Sequence, residues 1–289
     1  MHRLAPWRDR HAYPFAWHDV ALSAGRMHYV DEGQGDTLLF VHGTPTWSFE
    51  YRHLIAALSK THRCIAPDHL GFGLSERPEG FAYTPEAHAD MLREFVDRLG
   101  LTRFTLVVHD FGGPIGLPLA IADPSPVERV VILNTWAWPV DDDPHMARGA
   151  RFIGSAPGRF LYRHANASLR LIMPSAYGRR DALTKAIHRQ YLEVFRDKDA
   201  RVRVLFALAK SLLDSRAHYQ SLLDRLPALH RVPVLIVWGM KDSAFKPHQL
   251  DRWRALLPDA VVVEASQAGH WPHEEDPRYV IAAIEQFLR

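Results

Sequence analysis

The sequence predicts an α/β protein with a mostly parallel central sheet and helices on both of its faces. Short apolar runs alternate with helical patterns from about residue 26 to residue 136, and the alternation resumes near residue 232. Several runs are almost continuously apolar, which is typical of parallel strands buried on both faces. Between these two parts, residues 138 to about 215 contain helical patterns and no comparable strand.

The first part contains five predicted strands and three predicted helices. The strands are RMHYVDEG (26–33), TLLFVHG (37–43), HRCIAPD (62–68), FTLVVH (104–109) and VERVVILNTW (127–136). The helices are WSFEYRHLIAALSK (47–60), TPEAHADMLREFVDRLG (84–100) and GGPIGLPLAIADP (112–124). The second helix has the clearest boundaries, because Thr84 can cap its start, Pro85 suits its first position and Gly100 ends it.

The strandless part predicts an inserted helical lid. It is rich in Arg, Leu, Tyr and Ala, and its helical stretches include RDALTKAIHRQYLEVFR and RVRVLFALAKSLLD. Strands VPVLIVWG (232–239) and AVVVEAS (260–266) and the helix DPRYVIAAIEQFL (276–288) then complete the sheet protein. The predicted division is a core of residues 1–136 and 218–289 and a lid of residues 137–217.

Composition excludes several classes of protein. Of the 289 residues 47% are apolar, the net charge is +2, and no basic cluster suggests nucleic acid as a partner. The single Cys64 excludes an internal disulfide and Cys-rich zinc patterns, and its apolar surroundings favour a buried thiol. No run approaches the roughly 18 apolar residues of a membrane span, and the N-terminal stretch lacks an apolar run of signal-peptide length. We therefore expect a cytoplasmic protein, monomeric or a small homo-oligomer, without a membrane or nucleic-acid partner.

An acidic residue stands at the end of a predicted buried strand, in VVHDFGGPIG (107–116). Asp110 follows FTLVVH directly, and Phe111, Gly112 and Gly113 come next. Strand, sharp turn and helix form a nucleophile elbow, in which small neighbours are needed and backbone N–H groups face the nucleophile. An Asp at a strand end can also simply cap a helix. The chain contains no G-x-S-x-G, so a carboxylate occupies the place of the Ser.

Two further strand ends carry residues that complete a triad, and a third carries an oxyanion donor. Asp242 follows the penultimate strand in WGMKDSAF (238–245), and His270 follows the last strand in AGHWPHEEDP (268–277). The order nucleophile, acid, His is that of α/β-hydrolase triads. HGTP (42–45) offers the Thr44 N–H as an oxyanion donor beside the N–H of Phe111. Carboxyl ends of parallel strands meet at one edge of the sheet, where such proteins bind ligands.

With these blocks the chain resembles α/β-hydrolases of the haloalkane dehalogenase and epoxide hydrolase group. HGTPTWSFEYR, DHLGFGLSERP, VVHDFGGPIG, WGMKDSAF and AGHWPHEEDP each match that group, from about residue 26 to the C-terminus. The resemblance implies that Asp110 attacks a saturated carbon and forms an alkyl ester, which water activated by His270 then hydrolyses. Asp242 would orient His270. The substrate would be a small apolar organic molecule, water the other partner, and neither a metal nor an organic cofactor is expected.

The chain departs from the dehalogenase pattern at two positions. Dehalogenases of this group usually carry Trp after the nucleophile, and many carry Asn after the HG of HGxP. Here these positions are Phe111, which has no side-chain donor, and Thr44, which has a hydroxyl. The alternatives are therefore an epoxide hydrolase, a β-lactone-opening or decarboxylating enzyme, or a non-catalytic ligand-binding hydrolase fold.

The sequence leaves the roles of several other residues undecided. Trp47, Trp138 and Tyr177 are candidate pocket residues, Trp136 is a candidate replacement for the missing indole, and an epoxide hydrolase would use two lid tyrosines among Tyr162, Tyr177, Tyr191 and Tyr219. His109 is interpreted as a structural hydrogen-bonding residue and His273 as a residue of the site's rim. Asp141, Asp142 and Asp143 are the alternative to Asp242 as the triad acid.

Overall fold

An eight-stranded sheet forms the centre of the molecule in a computed structural model that describes residues 6–123 and 125–289. The strands are β1 (His18–Leu22), β2 (Gly25–Glu32), β3 (Thr37–Val41), β4 (Arg63–Pro67), β5 (Phe104–Asp110), β6 (Val127–Thr135), β7 (Val234–Gly239) and β8 (Val261–Ala265). Their order is β1-β2-β4-β3-β5-β6-β7-β8. β2 runs antiparallel to both of its neighbours, and β3 to β8 are parallel. The predicted parallel α/β fold is confirmed.

Burial follows the apolar runs of the sequence. Every residue of β5 and β7 is buried, as expected for strands covered on both faces. β8 has an equally apolar sequence but lies at the sheet edge, and only its last residue is buried. β1 is absent from the sequence-based prediction, because its five residues HDVAL alternate in exposure at the opposite edge. Cys64 lies buried in β4, where burial raises the pKa of its thiol to about 12.

Thirteen α-helices surround the sheet within the described ranges. They are α1 (Arg52–Leu58), α2 (Pro85–Arg98), α3 (Gly112–Ala120), α4 (Pro144–Ile153), α5 (Ala156–Ala165), α6 (Met173–Ala176), α7 (Lys185–Val194), α8 (Lys198–Ala200), α9 (Ala207–Asp214), α10 (Arg216–Arg225), α11 (Pro247–Leu256), α12 (Pro272–Glu275) and α13 (Pro277–Leu288). α2 begins as predicted, with the Thr84 hydroxyl accepting the N–H of Ala87. α11 is absent from the prediction. Residues 1–5 of the N-terminal stretch and Pro124, in the predicted helix 112–124, lie outside the described residues.

The segment between β6 and β7 is helical, with α4 to α10 and short 3-10 and π-helical turns. No strand occurs among its residues, all of which the structure describes, and this agrees with the change of sequence pattern after residue 138. Its last helix, α10, reaches back to the core, where the His218 ring lies 2.9 Å from the carbonyl oxygen of Pro114 in α3.

The strand order places a crevice beside the loops that carry Thr44 and Asp110. β3 continues to β4 on one side, whereas β5 lies on the other side of β3. Loops that leave the carboxyl ends of β3 and β5 therefore diverge, and open α/β sheets bind ligands in the crevice at such a point.

Candidate active site

Asp110 occupies a strained turn between β5 and α3. Its φ is +49°, a left-handed backbone conformation that side chains other than Gly rarely adopt. The turn is closely packed, because a Cβ at Gly43 would overlap the Asp110 side chain and a Cβ at Gly112 would overlap the Val41 carbonyl. The two glycines therefore permit the elbow that the sequence predicts.

The Asp110 carboxylate makes two contacts at the crevice. Its Oδ1 accepts the Thr44 N–H at 2.8 Å, and its Oδ2 lies 3.4 Å from His270 Nε2. Burial alone would raise the pKa of Asp110. The hydrogen bond and charge of His270, with smaller contributions from His109 and the Thr44 N–H, outweigh burial and hold this pKa below its ordinary value. The residue is therefore ionised at neutral pH.

His270 lies between two carboxylates. Its Nδ1 is 2.7 Å from Asp242 Oδ2 and its Nε2 faces Asp110. Burial disfavours the charged imidazolium, but the charge of Asp242 and the hydrogen bonds and charge of Asp110 prevail and raise the pKa of His270 to about 10. Its backbone N–H donates to the Ala176 carbonyl in α6 at 2.9 Å.

Asp242 is held by a residue that the sequence analysis does not single out. Asn134, near the end of β6, donates its amide to Asp242 Oδ2 at 2.9 Å and to the Gly239 carbonyl at 3.2 Å. Its own oxygen accepts the Gly239 N–H at 2.7 Å, and Ala244 N–H donates to Asp242 Oδ1 at 2.7 Å. Asn134 is a polar residue at the carboxyl end of a buried strand, and this position could have indicated its role from the sequence.

The raised pKa of His270 makes folding stability depend on pH. Because the folded-state value of about 10 exceeds the ordinary 6.5, the stabilisation is fully present below about pH 6.5 and is lost as pH rises toward about 10. We expect the melting temperature to fall between pH 7 and pH 10 in calorimetry, and this fall to be smaller in His270→Gln. The exposed His248 gives a matched control, since His248→Gln should retain the fall. Equal profiles for all three proteins would contradict the prediction.

A cavity of about 670 Å³ opens in front of the carboxylate. Thr44, Asp110, Phe111 and His270 line it, together with residues of the helical segment between β6 and β7. Most of the lining is apolar, so the cavity suits a small apolar molecule.

Three buried donors at this cavity have no hydrogen-bond partner in the described part of the chain. They are the hydroxyl of Thr44 and the indole N–H groups of Trp136 and Trp271. The Trp136 ring meets the Phe111 ring edge to face at 4.8 Å between centroids. An indole donor therefore lies one ring away from the position where the dehalogenase pattern has Trp.

The three candidate pocket residues lie outside the lining of this cavity. Trp47 stacks on Phe49 with its centroid 5.4 Å away. Trp138 packs against Trp253 at 5.0 Å. Tyr177 donates its hydroxyl to Glu274 Oε2 at 2.5 Å. These aromatic side chains thus contribute to packing, and for Trp138 and Tyr177 the partners come from distant segments of the chain.

The other residues with open roles are also placed. Among the four tyrosines only Tyr162 lines the cavity; Tyr191 donates to Glu274, and Tyr219 packs on Trp136. Asp141, Asp142 and Asp143 contact Arg216, Arg252 and His248, away from His270. His109 contacts the His270 carbonyl oxygen through Nε2 at 2.8 Å, as its interpretation as a hydrogen-bonding residue requires. The interpretation of His273 as a rim residue is wrong, because its side chain is fully buried.

Comparison with known proteins agrees with this fold. Residues 36–277 match the model of the α/β hydrolase fold family. Haloalkane dehalogenase 2 of Mycobacterium tuberculosis is 41% identical over 278 residues, which cover 96% of each chain. The cis-3-alkyl-4-alkyloxetan-2-one decarboxylase of Shewanella oneidensis is 36% identical over 95% of this chain and 89% of its own length.

Solved structures add to the fold assignment. The haloalkane dehalogenase DbeA from Bradyrhizobium elkani superposes with a TM-score of 0.84 over 95% of this chain and 99% of its own, at 24% identity. Across residues 6–123 and 125–289, no helix is both long and apolar enough to cross a membrane. The chain belongs to the α/β hydrolase fold family, in which it is a haloalkane dehalogenase-like hydrolase.

Proposed function

We propose that the protein hydrolyses a small apolar organic substrate through a covalent ester on Asp110. One observation carries the proposal: an ionised carboxylate faces an apolar cavity, with the His270–Asp242 pair on its other side. Asp110 attacks a saturated carbon, a carbon–oxygen bond forms, and the bond to the leaving group breaks with its electron pair. A carboxylate suits this step because it is already ionised and needs no base.

The second step becomes possible because the first step removes the negative charge of Asp110. Once Asp110 is an ester, its negative charge no longer raises the pKa of His270, and the imidazole can lose its proton and act as a base. His270 then takes a proton from water, which attacks the Asp110 carboxyl carbon, while Asp242 orients the ring. The Thr44 N–H, which already binds Oδ1, and the Phe111 N–H stabilise the oxyanion.

We assign residues 137–217 to a lid over a core of residues 1–136 and 218–289. Supporting this division, residues of both parts line the cavity, among them Phe111 and Tyr162. Water and the substrate are the proposed partners. A cytoplasmic location and a monomeric or small homo-oligomeric state belong to the same proposal, and light scattering of the purified protein would test the latter.

Halide is the first candidate for the leaving group, since a dehalogenase is 41% identical. Opening of a β-lactone is the second, because a decarboxylase of oxetanones is 36% identical and Phe111 offers no side-chain donor to a halide. Attack of Asp110 on the saturated ring carbon of the lactone would break that carbon's bond to the ring oxygen and release a carboxylate as the leaving group. A non-catalytic binder would not need Asp110, His270 and Asp242 in hydrogen-bonding positions.

Parallel incubations with 1-bromobutane, styrene oxide and a β-lactone test these candidates. We expect bromide release from the first, measured by ion chromatography, at a low rate because Phe111, which follows Asp110, offers no side-chain donor to the departing bromide. Lactone consumption without bromide release would identify a β-lactone-opening enzyme instead. Diol formation from styrene oxide without bromide release would identify an epoxide hydrolase. No reaction with any of the three, and no covalent adduct by mass spectrometry, would favour a binder.

Phe111→Trp is expected to raise kcat/KM for 1-bromobutane by about tenfold, because one added indole donor is worth about 1.5 kcal/mol to a developing halide. Steady-state bromide release measures the effect. Phe111→Leu is the matched control, since it changes the packing against Trp136 but adds no donor. A similar change in both variants would show that packing, and not hydrogen bonding, limits the reaction.

A further inference from the structure

A second group of titratable side chains lies directly behind the catalytic residues. It consists of Glu50, in the helical turn Ser48–Tyr51, His109 in β5, and His273 in α12. All three side chains are fully buried, and one ligand atom from each lies within 4.8 Å of the others. Glu50 Oε1 is 3.2 Å from His109 Nδ1 and 3.9 Å from His273 Nε2.

The hydrogen-bonding of His109 leaves a pair of acceptors facing each other. Its Nε2 lies 2.8 Å from the His270 carbonyl oxygen, and since a carbonyl only accepts, Nε2 carries a proton. In a neutral ring Nδ1 then has a lone pair, which points toward the carboxylate oxygen of Glu50. Something positive must lie between these two atoms, either a proton or a cation.

The imidazole ring of His273 has no hydrogen-bond partner among the described residues. Both of its ring nitrogens are buried. A buried imidazole without partners costs free energy, and Tyr51 stacks on its face at 5.1 Å between centroids without satisfying either nitrogen.

We propose that Glu50, His109 and His273 bind a divalent transition-metal ion of the zinc class. Two imidazoles and one carboxylate form a ligand set typical of such ions. Two of the three separations are 3.2 and 3.9 Å and the third is at most 4.8 Å. A point equidistant from the three atoms therefore lies no more than about 2.4 Å from each, close to the ~2.0–2.2 Å of zinc–nitrogen and zinc–oxygen bonds. A small contraction of the cluster is enough to coordinate an ion.

The surrounding hydrogen bonds are those that metal ligands require. His109 donates its other ring N–H to a backbone carbonyl, and the second oxygen of Glu50 accepts the hydroxyl of Thr46. Such contacts fix the orientation of ligating imidazoles and carboxylates. The ion would give Nε2 of His273 a partner, replace the unfavourable contact between His109 and Glu50, and neutralise the buried carboxylate.

The site would connect three of the four segments that carry the reaction, all except the one with Asp242. Glu50 follows Thr44 by six residues, His109 precedes Asp110, and His273 follows His270 by three. An ion bound to all three ligands would hold these segments together behind the cavity, without contacting the substrate. The three ligands are thus positioning residues, and the proposal goes beyond the proposed function and beyond the expectation that the chain binds no metal.

Metal analysis of the tag-free full-length protein tests the proposal. We expect about one equivalent of zinc, or of a related ion, to remain after gel filtration with a chelator, because the enclosed site exchanges slowly. Protein unfolded with chelator and refolded with Co²⁺ should retain one Co²⁺ with the visible absorption of low-coordinate cobalt. His273→Gln should lose this ion and this absorption.

The chain contains 18 histidines, so adventitious metal must be excluded. His248→Gln is the matched control, because it removes an exposed His that pairs with the carboxylate of Asp143 and should leave the bound equivalent unchanged. If wild-type protein binds no ion on purification or on refolding with Co²⁺ and Zn²⁺, the proposal is overturned, and a proton joins Glu50 to His109. These readouts need no substrate, so they are independent of the proposed hydrolysis.

Discussion

Asp110→Asn is expected to lower turnover of the best substrate by at least about 10⁴-fold, the scale of effect seen when a catalytic nucleophile is removed. The amide is neutral and a poor nucleophile, so neither the ester nor the released leaving group should form. The measurement is bromide or other product release over a short assay with freshly purified protein, because slow hydrolysis of the amide would regenerate Asp110.

The same variant should keep its fold, which makes the loss of turnover interpretable. An Asn side chain has nearly the shape of Asp, and its oxygen can still accept the Thr44 N–H that binds Oδ1 in the parent protein. Far-ultraviolet circular dichroism and thermal unfolding check this. Retention of more than about a tenth of wild-type turnover in a folded variant would rule out the ester mechanism.

The proximity of the three proposed catalytic residues could be predicted from the sequence because each follows a recognisable strand. FTLVVH, VPVLIVWG and AVVVEAS are apolar enough to be identified as strands, and parallel topology brings their carboxyl ends to one edge. The observed distances of 2.7 and 3.4 Å from His270 to the two carboxylates agree with this reasoning. Strand topology thus predicts that Asp110 and His270, which are 160 residues apart in the chain, lie together in space.

The pocket could not be predicted in the same way. Whether Trp138 or Trp136 faces the cavity depends on side-chain packing, which here turns Trp138 toward Trp253 and Trp136 toward Phe111. Two residues in one short segment therefore have opposite roles, and no periodicity distinguishes them. β1 is missed for a related reason, since a short, half-exposed edge strand has no distinctive apolar pattern.

The buried cluster behind the triad shows a further limit of sequence reasoning. Glu50 and His273 are 223 residues apart in the chain, and neither stands in a metal-binding motif. His273 looks like a rim residue because it follows His270 in a polar stretch, but α12 turns it inward against Tyr51. Only the three-dimensional arrangement reveals that two imidazoles and a carboxylate share one enclosed space.

His270→Gln is expected to separate the two steps that Asp110→Asn abolishes together. In an assay at alkaline pH, Asp110 is ionised even without His270 to lower its pKa, so the first step proceeds and each protein molecule releases about one equivalent of bromide from 1-bromobutane. Without a base at this position, hydrolysis of the ester should slow by about 10³-fold or more. Rapid-quench bromide measurement should show a burst followed by almost no turnover, and mass spectrometry should find one added butyl group on the peptide that contains Asp110.

Asp110→Asn,His270→Gln is the matched control for this experiment, because it lacks the nucleophile and should show neither the burst nor the adduct. The two single variants then report on different atoms of the same site: one removes the group that forms the ester, the other the group that hydrolyses it. A burst that persists in the double variant would mean that another nucleophile reacts with the substrate. Full turnover in His270→Gln would mean that water reaches the ester without a base, contrary to the role that the contacts with Asp242 and Asp110 suggest for this imidazole.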